Sequence, residues 1–127
     1  MGRGITVGRS PMNPAQPEAG LRLCGVDEVA DPGAKGFVFR KDEALFAGFL
    51  VRREGEVFGY IDRCPHVGTP LAFMADRFLT REKDLILCST HGALFRIGDG
   101  HCIAGPCEGQ RLWSWKIVVR EGAVFTD

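Results

Sequence analysis

Two short segments, each carrying one cysteine and one histidine, constrain this chain more than any other feature. The first reads Cys64-Pro65-His66 and the second reads Cys88-Ser89-Thr90-His91. Residues 67–87 separate them, which is enough chain for a strand, a turn and a second strand. Thiolates and imidazoles suit zinc or an iron–sulfur cluster, whereas calcium and magnesium prefer oxygen ligands. The pattern therefore predicts two loops that face each other across a metal site.

The distribution of the ligands favours iron over zinc. A zinc finger usually places two cysteines on one knuckle and two histidines on a helix, whereas each segment here mixes one of each. If each loop gives one ligand to each of two irons, Cys64 and Cys88 bind one iron, and His66 and His91 bind the other. A structural zinc site, or an iron–sulfur scaffold without electron transfer, is the alternative from a different class.

The segments CPHVGTP and CSTHGALF resemble the signature of Rieske-type [2Fe-2S] proteins. The resemblance continues through Gly105-Pro106, which is similar to the proline loop over the cluster in that family, and it covers roughly residues 20–127. It implies one [2Fe-2S] cluster per chain. The ligands that it implies are Cys64, His66, Cys88 and His91, and the residues expected beside the cluster are Gly68, Gly92, Gly105 and Pro106.

The resemblance is to the ferredoxin branch of the family. High-potential Rieske proteins carry an extra cysteine in each loop, where this chain has Thr69 and Thr90 or their neighbours. They also carry a serine and a tyrosine that donate hydrogen bonds to the cluster, where this chain has Ala93 and Phe95. Such bonds raise the reduction potential. We therefore expect a potential in the lower part of the Rieske range of roughly −150 to +300 mV.

Short β-rich runs separated by turn residues predict an all-β fold. No long amphipathic helix appears, and the resemblance implies a Rieske-type antiparallel sandwich into which a small cluster-binding lobe is inserted. The segment DRFLTREKD between the two motifs is interpreted as a loop insertion. The predicted strands are residues 21–26, 37–40, 44–52, 56–62, 84–88, 93–97, 101–105, 111–120 and 123–127.

Composition predicts a single domain. The chain has 127 residues, of which 45% are hydrophobic and 25% charged, as in an ordinary globular protein. Residues 1–19, rich in glycine and proline, are predicted to form a flexible leader before a Rieske domain at residues 20–127. Sixteen basic and sixteen acidic residues give no argument for nucleic acid, and no apolar run is long enough to span a membrane. Because no export signal is recognisable, we expect a cytoplasmic protein.

The remaining cysteines and the tryptophans have structural interpretations. Cys24, Cys102 and Cys107 are expected to be small buried residues, and Cys102 and Cys107 are close enough in sequence to pair if oxidised. Trp113 and Trp115 alternate along a predicted strand, which indicates packing in the core or at an interface.

The sequence contains no catalytic triad, phosphate loop, dinucleotide fingerprint or second iron site of two histidines and a carboxylate. We therefore expect an electron-transfer protein with no catalytic site of its own, which takes one electron from a reductase and gives it to an oxygenase or a similar enzyme. By resemblance, the exposed edges of His66 and His91 are the expected docking point. The alternative is a small Rieske subunit of a larger reductase such as a nitrite reductase.

The charge of the ligand set predicts the effect of His91→Cys. Two ferric ions and two sulfides sum to plus two, two thiolates cancel that charge, and two neutral imidazoles add none. Exchanging one imidazole for a thiolate makes the oxidised cluster negative, so adding an electron becomes harder. A potential titration of His91→Cys should give a value below that of the wild type. An unchanged or raised potential, in a variant that still assembles its cluster, would contradict this charge argument.

Overall fold

The computed structural model describes residues 13–63, 71, 77–89 and 92–127. Within these ranges the chain forms nine strands in three antiparallel sheets, of order β1-β9-β8, β2-β3-β4 and β5-β6-β7. One 3₁₀ turn, Val26–Glu28, follows β1, and no described helix has the length and apolar character needed to cross a membrane. The strands are β1 Arg22–Gly25, β2 Gly33–Lys41, β3 Ala44–Arg53, β4 Glu56–Ile61, β5 Leu85–Leu87, β6 Leu94–Arg96, β7 Cys102–Ala104, β8 Ile117–Arg120 and β9 Ala123–Thr126.

The sheet β2-β3-β4 is the middle layer of the molecule, and its central strand is buried on both faces. Phe46 and Leu50 of β3 belong to one hydrophobic cluster, whereas Phe49 and Val51 belong to another. Since successive side chains of a strand point to opposite faces, these two clusters lie on opposite sides of the sheet. The apolar run of β3 is therefore nearly continuous instead of alternating.

The first cluster lies between the middle sheet and the sheet β1-β9-β8. Its centre is Trp115, which is 2% exposed and packs edge to face on Phe46, with ring centroids 5.3 Å apart. Gly48 leaves room for this indole, because a Cβ at that position would lie 2.5 Å from Trp115 Cε3. Trp113 is partly buried against the same cluster. The prediction that both tryptophans are packing residues is confirmed.

The second cluster joins the small lobe β5-β6-β7 to the other face of the middle sheet. Phe49 stacks on Phe78 with ring centroids 4.2 Å apart, and Phe95 and Ile86 are fully buried beside them. In sequence, the lobe is inserted between β4 and β8. The predicted all-β antiparallel fold is confirmed, and the described part of the predicted loop insertion is a packed hairpin, in which Leu87 N–H bonds to the Phe78 carbonyl at 2.8 Å.

Residues 111–120 do not form the single strand that the sequence predicts. Regular pairing begins only at β8, and the preceding segment makes isolated bridges between Arg111 and His101 and between Ser114 and Tyr60. The Trp115 N–H bonds to the Gly59 carbonyl at 3.0 Å. The segment before β8 therefore follows the edge of β4 while Trp115 enters the core. Because its backbone bonds to β4 and its side chain packs inward, it forms isolated bridges instead of a regular strand.

Part of the predicted leader is attached to the domain. The side-chain amide of Asn13 donates to the Leu45 carbonyl at 2.9 Å, and the hydroxyl of Thr126 donates to the Glu18 carbonyl at 2.6 Å. Ala15 is 6% exposed and belongs to the first cluster. Asn13, Ala15 and Glu18 therefore contact the sandwich, and the boundary of the domain at residue 20 stays a prediction. Residues 1–12 lie outside the described ranges, and for them flexibility stays a prediction.

Tyr60 offers a direct test of burial in the second hydrophobic cluster, because it is the sole tyrosine of the chain and its titration can be followed without interference from another. Its side chain is buried, its hydroxyl donates to the Ile97 carbonyl, and burial raises its pKa from 10.0 to about 12, with a smaller contribution from Asp99. The neutral Tyr60 hydroxyl contributes to the free energy of unfolding. This contribution is complete below pH 10 and is lost as the pH rises through about 12.

We expect the ultraviolet absorbance of the phenolate to appear with a midpoint near pH 12 in the folded protein. In denaturant the midpoint should fall to the ordinary value for tyrosine, and Tyr60→Phe should show no such titration. A folded-state midpoint at the ordinary value would contradict the burial of the hydroxyl.

Candidate metal centre

The second predicted ligand segment begins directly after β5. Cys88 is completely buried, its N–H donates to the Ala93 carbonyl at 2.9 Å, and its carbonyl accepts from the Gly92 N–H at 2.8 Å. The loop over residues 88–93 is therefore closed by its own backbone. Gly92 has a φ of +72°, a left-handed conformation that glycine adopts without strain. Thr90 and His91 lie outside the described residues.

The predicted proline loop lies on Ala93, at the end of the loop over residues 88–93. Gly105 has a φ of +102°, and a Cβ at this position would lie 2.8 Å from Ala93 Cα. Only glycine permits such a close approach of two backbones. The structure thus brings Gly105 and the adjoining Pro106 to the loop that follows Cys88, and a contact of these residues with the cluster stays a prediction.

The first ligand segment is described through its flanks, since Cys64, His66 and Gly68 lie outside the described residues. The segment starts beyond β4, where the Asp62 N–H donates to the Ala47 carbonyl at 2.9 Å. Beyond it, the Leu71 N–H donates to Asp62 Oδ1 at 2.7 Å. The two ends of the loop over residues 62–71 are thereby joined, although the ligands within it are not described.

Leu71 also joins the first segment to the second. Its side chain is completely buried, and its carbonyl accepts a hydrogen bond from the Ser89 N–H at 2.7 Å. Ser89 directly follows Cys88, so one residue contacts the beginning of the first loop and the beginning of the second. We call these two bonds, from Leu71 to Asp62 and to Ser89, the Leu71 tie. It brings the flanks of both ligand segments to one place, as a shared metal centre requires.

The described residues that pack around Cys88 are mainly apolar. Cys88, Ala93 and Phe95 are completely buried in the second cluster, and neither Ala93 nor Phe95 carries a hydroxyl that could donate to a cluster sulfide. Burial raises the pKa of the Asp62 carboxyl, an effect that the hydrogen bond from Leu71 opposes. Sequence reasoning did not identify Asp62 or Leu71, although an acidic residue two positions before Cys64 was an available signal.

The donor chemistry of the two segments fits a [2Fe-2S] cluster. Of the four predicted ligands, Cys88 lies among the described residues, and its thiol is buried at the end of a strand beside the Leu71 tie. No group of three or more His, Cys, Asp or Glu side chains occurs among the residues that the structure describes, and Cys64, His66 and His91 fall outside them.

The three cysteines outside the predicted ligand set are all buried, as predicted. Cys24 lies in the first hydrophobic cluster, on the side of the middle sheet opposite to Cys88. Burial raises the pKa of its thiol, and the charge of Glu28 adds a smaller increase. Cys102 and Cys107 lie in the second cluster, where their sulfur atoms are 3.0 Å apart.

The Leu71 tie predicts a loss of stability in Asp62→Ala. This substitution removes the acceptor of the Leu71 N–H, and an unpaired buried donor costs about 1–3 kcal/mol. Asp62→Asn keeps an oxygen acceptor at the same place and should lose clearly less. Urea unfolding of both variants beside the wild type measures the difference. Equal stability of Asp62→Ala and the wild type would show that this bond does not hold the loop.

Comparison with known proteins agrees with this geometry. The family model of the Rieske [2Fe-2S] domain matches residues 21–120. Among curated proteins, the ferredoxin subunit of 3-phenylpropionate/cinnamic acid dioxygenase from Photorhabdus laumondii is 29% identical over 105 residues, which are 83% of this chain and 90% of that protein.

Solved structures show the same fold. A ferredoxin from Sphingomonas yanoikuyae B1 superposes with a TM-score of 0.62 at 27% identity, covering 84% of this chain and 96% of its own. The ferredoxin of carbazole 1,9a-dioxygenase from Nocardioides aromaticivorans IC177 has a TM-score of 0.62 at 20% identity, covering 84% of this chain and 94% of its own. The resemblance inferred from the two motifs is confirmed, and the chain belongs to the Rieske [2Fe-2S] family.

Proposed function

We propose that this protein is a one-electron carrier of the ferredoxin type, which receives an electron from a reductase and passes it to an oxygenase. The observation that carries the proposal is the Leu71 tie, which joins the flanks of both ligand segments in a member of the Rieske family. We assign one [2Fe-2S] cluster to each chain, with Cys64 and Cys88 on one iron and His66 and His91 on the other.

The residues of this chain would bind the cluster and limit the access of water to it. Cys88 supplies a thiolate from a loop that its own backbone closes, and Gly92, whose N–H makes one of the closing bonds, gives that loop its left-handed turn. Gly68, Gly105 and Pro106 complete the proposed lining. When bound, the cluster supplies reversible one-electron redox chemistry.

The apolar lining bears on the reduction potential. Hydrogen bonds to the cluster sulfides and to the cysteine sulfurs raise the potential of iron–sulfur centres. Ala93 and Phe95, which are completely buried, offer no hydroxyl at the places where high-potential members have donors. A potential in the lower part of the Rieske range follows from this lack of donors.

The proposed partners follow from the relatives. One relative is named as the ferredoxin subunit of a dioxygenase, and another as the ferredoxin of carbazole dioxygenase. We infer that this chain likewise has no catalytic site of its own and that chemistry on a substrate takes place in a partner oxygenase. We propose that it acts in the cytoplasm.

Spectroscopy of the purified protein tests the proposal. Visible absorption and electron paramagnetic resonance spectra, recorded before and after dithionite, should show a reddish-brown protein whose reduced signal has the low average g-value of histidine-ligated clusters. A potential titration of the same sample should give a reversible wave below zero. A colourless protein with stoichiometric zinc would refute the electron carrier, and co-purification with a large flavin or haem subunit would favour the reductase-subunit alternative.

Two cysteine variants test the ligand assignment. Cys88→Ser should lose the visible absorbance and the bound iron and sulfide, because a serine hydroxyl is a poor ligand for this soft metal site. Cys24→Ser is the matched control, since Cys24 is equally buried but lies in the other hydrophobic cluster, and it should keep the iron and sulfide content of the wild type. Full iron and sulfide in Cys88→Ser would remove Cys88 from the ligand set.

A further inference from the structure

Two thiols that the proposed cluster does not use lie next to each other inside the small lobe. Cys102 begins β7, and Cys107 follows the proline loop. The Cys107 thiol donates a hydrogen bond to Cys102 Sγ at 3.0 Å, and the Cys102 thiol in turn donates to the Ala104 carbonyl at 3.2 Å. Both side chains are completely buried.

The backbone holds the two cysteines at this distance. The Cys102 N–H donates to the Gln110 carbonyl at 2.7 Å, and the Gln110 N–H donates to the Cys107 carbonyl at 2.9 Å. The Gly109 N–H closes the same turn on the Cys102 carbonyl at 3.2 Å. A disulfide bond is about 2.05 Å long, so the sulfurs need to approach each other by only about 1 Å.

We propose that Cys102 and Cys107 form a reversible dithiol–disulfide couple. A two-electron oxidant of the diazene class takes one hydrogen atom from each sulfur, its nitrogen–nitrogen double bond becomes the single bond of a hydrazine, and the two sulfurs join. A dithiol reductant reverses the step by exchange and is itself left as a disulfide. The couple goes beyond the proposed electron-carrier function and does not depend on it.

The disulfide would act on the loop over the second ligand segment. The residues between the two cysteines include Gly105, whose backbone lies on Ala93, the last residue of the loop over residues 88–93. Cys102, Cys107 and Cys88 share one hydrophobic cluster. Because a covalent link between residues 102 and 107 removes conformations in which this loop opens, it holds Gly105 against Ala93.

Peptide mapping tests the couple in the cluster-loaded wild type. The protein is treated with diamide, quenched in acid, alkylated under denaturing conditions and digested with trypsin. Residues 97–111, released by cleavage after Arg96 and after Arg111, contain Cys102 and Cys107 and no other cysteine. This peptide should lack two hydrogen masses and take up no alkylating agent, and prior dithiothreitol should restore two alkylation sites. Two alkylated cysteines after diamide, or a link from either cysteine to another residue, would overturn the proposal.

Cysteine variants serve as controls for the assignment of the disulfide to Cys102 and Cys107. Cys102→Ala and Cys107→Ala should each leave a single thiol in the peptide, which diamide cannot close within it. Cys24→Ala should form the disulfide as the wild type does, because Cys24 lies in the other cluster.

A second measurement tests the effect on the loop. Removal of the visible absorbance by an iron chelator should be several-fold slower after oxidation of the wild type and unchanged by diamide in Cys107→Ala. Equal rates in the oxidised and reduced wild type would overturn the locking of the loop. A protein that is colourless from the start would refute the cluster instead, and the peptide mapping would still decide whether the disulfide forms.

Discussion

The two backbone hydrogen bonds of Leu71 are the constraint on which the rest of the site depends. Its N–H bonds to Asp62 at the end of the middle sheet, and its carbonyl bonds to Ser89 beside Cys88. Since Leu71 is completely buried, neither group has water as an alternative partner, and each unpaired group would cost about 1–3 kcal/mol. The flanks of two loops far apart in sequence are therefore kept together by the energetic need to pair buried polar groups.

The middle sheet gives this tie a rigid support. Its central strand is covered on one face by the cluster around Trp115 and on the other by the stack of Phe49 on Phe78. Close packing on both faces leaves little freedom for the end of β4, from which the first ligand segment departs. Sites supported by rigid strands hold their ligands more accurately than sites on long loops, which suits a centre that must keep one geometry in two oxidation states.

Apolar packing and electron transfer are linked in the small lobe. Cys88, Ala93, Phe95, Cys102 and Cys107 all lie in one hydrophobic cluster, so the side chains that stabilise the lobe share their packing with the proposed ligand Cys88. The same residues that exclude water also withhold hydroxyl donors, so the stability of the lobe and the low reduction potential that we propose would arise from one set of side chains.

The sequence by itself determined the family, the all-β class and the strands that lead into each ligand segment, because metal preference and strand patterns depend on residues close together in the chain. The Leu71 tie and the attachment of residues 13–19 were decided only by tertiary structure, which also set the 3.0 Å between the sulfurs of Cys102 and Cys107, a pair that the sequence had marked only as close along the chain. The irregular path of the chain before β8 was also decided by tertiary structure, since Trp115 enters the core while its backbone bonds to Gly59. Each of these features pairs groups whose meeting depends on how sheets and loops pack, and local residue patterns carry no information about that packing.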